Sequence, residues 1–285
     1  MATLQFSEGI ETPPRVLHRN KQLLNNIVDG MASTRPCALY AEVPCLPDSY
    51  RDGYRKITYG ALANAVNGVA WLLKEKIGES RDHQTLSYIG PNDLAYVIMV
   101  LGACKAGFKV NDSLQNPQYA DLRRLKLLLV SPRNTVSDHI SLFKATECRI
   151  MLTPPAPRSP IVQAIIESHP LQLLDSPTLD ELLRGNYAHY PFCKSFAEAR
   201  HEPLVVVHTS GTTAVPKPIV YTHDFAASYI QWTQLEPPPG FETQVSLCQS
   251  NRFFITLPFF HVSSLITNLP KVWDCGRSIR VKDRY

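Results

Sequence analysis

The sequence predicts an α/β fold in which a mostly parallel sheet is flanked by helices. Short apolar runs rich in Val, Leu and Ile alternate along the chain with longer amphipathic segments. Hydrophobic residues make up 44% of the 285 residues and charged residues 19%, a balance typical of a globular protein with a sizeable core. No internal repeat or low-complexity tract appears in the sequence.

In the first half of the chain, capping residues and the spacing of apolar residues both indicate where helices begin and end. Gly30 is the expected end of the first helix, and Thr58 is expected to cap a long helix that Gly78 ends. In order, we predict an irregular leader over 1–20, a helix over 21–30, a proline-punctuated segment over 35–47, a helix over 59–77, a strand over 85–89, a turn over 90–93 and a helix over 94–106.

The second half continues the alternation, which favours parallel strands joined by helices. Thr222 or Asp224 is expected to cap a helix that runs through Trp232 and is broken by the three prolines after it. We predict strands over 127–130, 149–152, 171–174, 204–207, 219–221 and 252–257, and helices over 135–146, 161–168, 178–183, up to 232, and from 263.

The segment Val205–His223 carries the clearest functional signal. It reads VVVHTSGTTAVPKPIVYTH: an apolar strand, a loop of hydroxyl residues around Gly211, Lys217 between two prolines, and a second strand. Small residues let backbone N–H groups approach an anion, hydroxyl groups add donors, and a lysine adds positive charge. The segment therefore predicts an anion-binding loop.

Two common phosphate-binding motifs do not fit this loop. A P-loop has a glycine directly before its lysine and a Ser or Thr after it, whereas Pro216 and Pro218 flank Lys217. A dinucleotide-binding fingerprint has three glycines, and only Gly211 is present. A P-loop NTPase and a Rossmann-type dinucleotide site are therefore disfavoured.

The same residues resemble the core signature of adenylate-forming enzymes, the superfamily of acyl-CoA synthetases, luciferases and nonribosomal peptide synthetase (NRPS) adenylation domains. That signature, Thr-Ser-Gly-Ser/Thr-Thr-Gly-x-Pro-Lys, corresponds to Thr209–Lys217, with Ala214 in place of the second glycine. If that position requires a positive φ, alanine strains the loop. The helix ending Lys105-Ala-Gly107 and the corner Leu257-Pro-Phe-Phe-His261 resemble two further motifs of the superfamily.

Other stretches resemble a narrower fungal group of NRPS-like adenylation domains, in which a carrier domain and a reductase often follow. They include Tyr88–Asp93, Ser131-Pro-Arg-Asn134, His139–Phe143 and Phe196–Arg200. The resemblance extends over nearly all of residues 15–270. It implies the N-terminal part of a large AMP-binding (adenylation) domain over 21–270, followed by a non-matching tail over 271–285.

A polar segment over 110–126 interrupts this resemblance. Without it, Lys109 would join Leu127 directly, and the joined sequence would resemble the fungal domains without interruption. We consider two explanations, translated intron sequence or a genuine surface insertion, because loop insertions cost little free energy. Transcripts that always retain the segment would contradict the intron hypothesis.

The resemblance implies ATP-dependent activation of a carboxylic acid. The carboxylate attacks the α-phosphate of Mg²⁺-ATP, giving an acyl-adenylate and pyrophosphate, and a phosphopantetheine thiol on a carrier domain then takes the acyl group. His261 has a second interpretation, a histidine that caps a strand-to-helix turn, and His208 and His223 are expected to be structural. The implied phosphate-binding residues are Thr209, Ser210, Gly211, Thr212, Thr213 and Lys217, with Thr213 near the metal ion and with Lys217 and His261 as catalytic residues.

The superfamily's later motifs, which bind adenine and ribose and supply a catalytic lysine, do not occur before Tyr285. We therefore expect the isolated chain not to catalyse ATP–pyrophosphate exchange. The alternative function is a catalytically inactive fragment or pseudoenzyme with weak or no nucleotide binding, which Ala214 also favours.

Charge and cysteine usage limit the compartment and the partners. A net charge of +4 without a basic block gives no case for nucleic acid or an anionic membrane. Seven cysteines without a C-x-x-C pair predict free thiols in a reducing compartment, and no stretch is long and apolar enough to span a membrane. We expect a cytoplasmic protein whose partners are a carboxylic acid and, in the parent enzyme, carrier and reductase domains.

Overall fold

Two β-sheets with helices packed against them form the protein in a computed structural model, which describes residues 21–46, 49–78, 84–107, 126–209, 215–233, 238–241, 253–268 and 279–281. The strands are β1 (Leu39–Leu46), β2 (Ser49–Thr58), β3 (Thr85–Tyr88), β4 (Lys126–Leu129), β5 (Cys148–Thr153), β6 (Gln172–Asp175), β7 (Pro203–His208), β8 (Pro218–Thr222), β9 (Phe253–Ile255) and β10 (Ile279–Val281). The helices are α1 (Leu24–Thr34), α2 (Tyr59–Ile77), α3 (Ala95–Gly107), α4 (Val136–Thr146), α5 (Pro160–Ser168), α6 (Leu179–Arg184), α7 (Phe196–Ala199), α8 (His223–Thr233) and α9 (Val262–Asn268).

The larger sheet has six strands in the order β6-β5-β3-β4-β7-β8. All neighbours run parallel except β7 and β8, which are antiparallel. Parallel neighbours end at the same edge, so the residues that follow β3, β4 and β7 meet there. The predicted α/β class with mostly parallel strands and flanking helices is confirmed.

The smaller sheet has the order β2-β1-β10-β9. The antiparallel hairpin of β1 and β2 was not predicted, because Pro44 inside β1 made the segment read as a loop. β10 lies within the tail over 271–285 and pairs in parallel with both neighbours, Ile279 opposite Ala41 and opposite Phe253. The tail thus contributes a strand to this sheet.

Helix α2 forms where its sequence places it. The Thr58 hydroxyl accepts the Ala61 N–H at 3.2 Å, and the chain leaves the helix at Gly78 with a φ of 77°, a conformation that glycine adopts without strain. The helix packs closely on α3, because a Cβ built at Gly102 would lie 2.5 Å from a Val69 methyl carbon. Both predicted ends of α2 are confirmed.

Helix α1 differs from its prediction, since it continues through Gly30 to Thr34. A glycine inside a helix costs about 1 kcal/mol relative to alanine, but Val28 and Met31 on either side are buried in the core. Packing of that face outweighs the cost, and the helix ends just before Pro36, as a proline requires of the residues that precede it.

A buried lysine joins α1, α2 and α3. The Lys105 ammonium, whose side chain is 0% exposed, donates to Asp29 Oδ1 and to Asn67 Oδ1, each at 2.7 Å. Burial lowers the pKa of Lys105, and the hydrogen bond to Asp29 opposes that shift. Asn67 Oδ1 also accepts the Tyr190 N–H at 3.2 Å, which fixes the segment before β7.

Helix α3 is also bonded to β7, the strand that leads into the predicted anion-binding loop. The Cys104 thiol donates to the Leu204 carbonyl at 3.1 Å, and burial raises the pKa of that thiol.

The predicted leader over 1–20 lies outside the described residues. The predicted insert over 110–126 also lies outside them, except for its last residue. Within the described ranges, no helix has the length and hydropathy to cross a membrane.

Candidate active site

The predicted anion-binding loop leaves the larger sheet at the carboxyl end of β7 and returns as β8. Two hydrogen bonds close its neck: the Thr209 N–H donates to the Lys217 carbonyl at 3.1 Å, and the Lys217 N–H donates to Thr209 Oγ1 at 3.1 Å. One step back along the strands, His208 is opposite Pro218. The neck is therefore closed by the Thr209 hydroxyl and by the backbones of Thr209 and Lys217.

The structure brings two of the predicted phosphate-binding residues together, Thr209 and Lys217. Both are exposed, and among the described residues no side chain pairs with the Lys217 ammonium. Ser210, Gly211, Thr212, Thr213 and Ala214 lie outside the described residues. Their roles, including that of Thr213 near a metal ion, stay predictions.

His208 links the neck to the turn that follows β4. Its Nε2 accepts the Ser131 N–H at 3.1 Å and lies 3.4 Å from Asn134 Nδ2, and its Nδ1 donates to the Thr209 carbonyl at 2.9 Å. Burial lowers the pKa of His208; the Thr209 carbonyl raises it, and nearby His261 lowers it further. The ring is therefore held neutral.

His261 directly precedes helix α9 and caps its first turn. Its Nδ1 accepts the Ser263 N–H at 3.3 Å and lies 2.6 Å from Ser263 Oγ, while its own N–H donates to the Pro258 carbonyl at 3.0 Å. This is the geometry of the capping interpretation. Among the described residues, Nε2 of the exposed ring has no hydrogen-bond partner, so capping leaves one nitrogen able to meet a ligand.

The corner that carries His261 is fixed to the turn between β3 and α3. The Phe259 N–H donates to Asn92 Oδ1 at 2.7 Å, and the Phe260 and Tyr96 rings lie 6.4 Å apart between centroids. The corner is thus held to the turn that follows β3, as His208 holds the neck to the turn that follows β4.

Sequence reasoning missed Asn92, Ser131 and Asn134 as members of this region. A signal for them existed, because all three follow strands whose carboxyl ends share one edge of a parallel sheet. His223, expected to be structural, is buried at the start of α8, and its N–H donates to the Glu202 carbonyl at 3.2 Å.

The donors present suit an anion better than a metal ion held by protein alone. Among the described residues, no group of three or more His, Cys, Asp or Glu side chains could hold a metal. A hydroxyl and a lysine are suited to phosphate oxygens, and Mg²⁺ in proteins is commonly held through few side chains together with substrate phosphates. The Thr209 hydroxyl and the Lys217 ammonium therefore suit the phosphate oxygens of a ligand.

Two of the curated relatives are fungal proteins several times longer than this chain. The chain is 27% identical over 257 residues to the isocyanide synthase–NRPS hybrid crmA of Aspergillus fumigatus, a match that covers 87% of this chain and 15% of that protein. It is 28% identical over 271 residues to a carboxylic acid reductase of Neurospora crassa, covering 93% and 24%. The chain thus spans less than a quarter of the length of either relative.

Solved structures show the same fold. The N-terminal domain of FACL13 from Mycobacterium tuberculosis superimposes with a TM-score of 0.67 at 18% identity, covering 93% of this chain and 58% of that one. O-succinylbenzoate coenzyme A synthetase from Bacillus subtilis, in complex with ATP and magnesium ion, gives a TM-score of 0.59 at 18% identity, covering 91% and 45%.

The family assignment comes from the sequence profile. A family model described as AMP-binding enzyme matches residues 34–273, which include the loop neck, the His208 contact and the His261 corner. The match covers most of the chain and agrees with the fold of the solved structures. The chain therefore belongs to the AMP-binding enzyme family of adenylate-forming enzymes.

Proposed function

We propose that this chain supplies the phosphate-binding side of a site that activates a carboxylic acid as an acyl-adenylate. In this reaction the carboxylate attacks the α-phosphorus of ATP, the bond to the bridging oxygen breaks, and pyrophosphate leaves with the electron pair. The reaction needs positioning and charge stabilisation more than covalent help from the protein. Mg²⁺, when bound, would neutralise part of the phosphate charge.

The observation that carries the proposal is the closed neck formed by Thr209 and Lys217. It holds an exposed ammonium group beside a seven-residue loop rich in hydroxyls, at the edge of the sheet where ligands of parallel α/β folds bind. In our proposal Lys217 and the loop residues Ser210–Thr213 hold the β- and γ-phosphates. Lys217 thereby stabilises the charge that develops on the leaving pyrophosphate.

His261 is proposed to line the part of the site that receives the carboxylate. Its Nδ1 is used to cap α9, which fixes the ring and leaves Nε2 for a ligand. The hydrogen bond from Phe259 to Asn92 holds the whole corner in place. A fixed N–H donor near the reacting oxygens would orient the carboxylate.

The proposed acceptor of the acyl group is the phosphopantetheine thiol of a carrier domain in a longer parent enzyme. The names of the two fungal relatives, an NRPS hybrid and a carboxylic acid reductase, support a multidomain setting of this kind. A following reductase domain and a cytoplasmic location belong to the same proposal.

Titration of the chain with Mg²⁺-ATP in a calorimeter tests the proposal. Lys217→Ala should weaken binding about tenfold, since a charge-assisted hydrogen bond contributes about 1.5 kcal/mol or more. Ala214→Gly should strengthen binding if the loop requires a positive φ at that position. Lys144→Ala, on the exposed face of α4, is the matched control and should bind as the wild type does.

Two results would contradict the proposal. Equal affinity of the Lys217→Ala and Lys144→Ala variants would remove Lys217 from the phosphate site. No heat of binding from either the wild type or the Ala214→Gly variant would favour the alternative function, an inactive fragment without nucleotide binding.

A further inference from the structure

The turn Ser131–Asn134 stands out because it belongs to the fungal resemblance and has no place in the proposed reaction. It directly follows β4, and β4 lies beside β7 in the sheet. The turn is braced internally: the Asn134 N–H donates to the Ser131 carbonyl at 3.1 Å, and the Arg133 N–H donates to Ser131 Oγ at 3.2 Å. A rigid turn next to a functional loop is suited to positioning it.

The turn is also locked to the start of α4. Thr135 and Asp138 form a reciprocal capping box, in which Thr135 Oγ1 accepts the Asp138 N–H at 3.2 Å and Asp138 Oδ2 accepts the Thr135 N–H at 3.2 Å. The position of Ser131 and Asn134 is therefore set by a helix, independently of the loop between β7 and β8.

We propose that His208 is a positioning residue that ties the neck of the phosphate loop to the Ser131–Asn134 turn. One ring nitrogen contacts the turn after β4, and the other contacts the neck of the loop. Nε2 accepts from the Ser131 N–H, and Nδ1 donates to the carbonyl of Thr209, the residue whose N–H and hydroxyl close the neck on Lys217. The position of the neck is thereby set by the turn after β4 as well as by β7 and β8.

The contact works in only one protonation state. A backbone N–H can only donate, so Nε2 must be unprotonated and Nδ1 must carry the hydrogen. The titratable groups that face the ring are His261 from the corner, and Asp138 and His139 from α4. Burial of the ring lowers the pKa of His208, and His261 lowers it further, against the opposing effects of the Thr209 carbonyl and Asp138.

Hydrogen exchange of the wild-type chain and two variants tests the inference without nucleotide. His208→Phe keeps the ring volume but removes both bonds, whereas in His208→Gln the amide oxygen can accept the Ser131 N–H. The Thr209 and Lys217 amides should exchange about fivefold faster in the Phe variant, the factor for loss of one ordinary hydrogen bond, with little change in the Gln variant. His189→Phe, at an exposed site before β7, is the control.

Core amides in β3 and β5 separate positioning from a general loss of stability. They should exchange at wild-type rates in the Phe variant while the neck amides exchange faster. Equal acceleration of neck and core amides, or no acceleration at the neck, would overturn the proposal. Ring ¹⁵N shifts that assign the hydrogen of His208 to Nε2 would overturn it as well.

Mg²⁺-ATP titration of the same variants connects the contact to the proposed function, on which this step rests. If the wild type binds, the Phe variant should bind about fivefold more weakly and the Gln variant nearly as well as the wild type. Wild-type affinity for ATP in the Phe variant would show that the His208 contact does not position the neck for ATP binding. If the wild type binds no ATP, the proposed function fails, and the exchange rates at the neck still decide whether His208 holds it.

Discussion

Two lysines from segments that resemble family motifs have opposite surroundings. Lys105, in the layer of α1, α2 and α3, is fully buried and bonded to Asp29 and Asn67. Lys217, at the carboxyl edge of the larger sheet, is exposed, and no side chain among the described residues pairs with it. The first lysine has its hydrogen-bonding capacity used inside the protein, whereas the second can meet a ligand.

The difference shows that a lysine in a motif does not by itself indicate a ligand-binding role. Moving Lys105 to an anion would leave Asp29 and Asn67 without their partner, which is costly in a buried setting. Lys217 would lose only its hydrogen bonds to water on binding an anion. We therefore expect Lys105 to contribute to stability and Lys217 to contribute to ligand binding.

The largest expected effect is on the helical layer. Lys105→Met should lower the free energy of unfolding by about 3 kcal/mol, because Asp29, whose side chain is 20% exposed, and Asn67 both lose a charge-assisted hydrogen bond. Urea denaturation followed by circular dichroism measures the change. Adding Asp29→Asn in the same chain should recover part of the loss, and failure to recover any would mean that packing, not the ion pair, was lost.

The second prediction, of intermediate size, concerns the pH dependence of stability that a buried histidine beside the larger sheet causes. His139 on α4 is 0% exposed, and burial, with a smaller effect of His208, lowers its pKa to about 4. In the unfolded chain a histidine titrates near 6.5, so the stability gained from the neutral buried ring is complete above that pH and is lost as pH falls towards about 4.

This predicts a loss of about 2 kcal/mol from His139 between pH 7 and pH 5. His139→Leu should therefore lose that much less stability than the wild type over the same interval, measured by urea denaturation at both pH values. Groups that do not interact with His139 titrate equally in both proteins, and its interaction with His208 is small beside burial, so the difference mainly reports His139. Parallel pH profiles would show that its ring is solvated.

The smallest expected effect concerns Lys217. Lys217→Ala should change the free energy of unfolding by less than about 0.5 kcal/mol, because an exposed side chain that pairs with no described side chain contributes little to folding. The same urea experiment measures it. A loss approaching that of Lys105→Met would erase the contrast between the two regions and give Lys217 a structural role.

Local signals in the sequence were sufficient for elements with their own capping residues. Thr58 and Gly78 mark both ends of α2, and the hydroxyl-rich loop between two apolar runs marks β7 and β8. These features depend on neighbours within a few residues, which a sequence displays directly.

Elements set by distant packing were not predictable in the same way. Gly30 looked like a helix end, but burial of the flanking apolar face carries α1 past it. The bond from Ser131 to His208 joins residues far apart in the chain, and neither has a local pattern that announces the other. Family resemblance marked both segments without indicating that they touch.

The pairing of β10 with β1 has a consequence for the order in which the chain folds. Ala41 lies beside Ile279, so the smaller sheet joins the first described strand to the last. Strands β3 to β8 can assemble on the ribosome before residue 279 has been synthesised, but β1 and β9 must wait for the strand between them. Contacts of such long sequence separation form late. The newly made chain should therefore pass through a state in which the larger sheet is complete while the inner edge of β1 is still open.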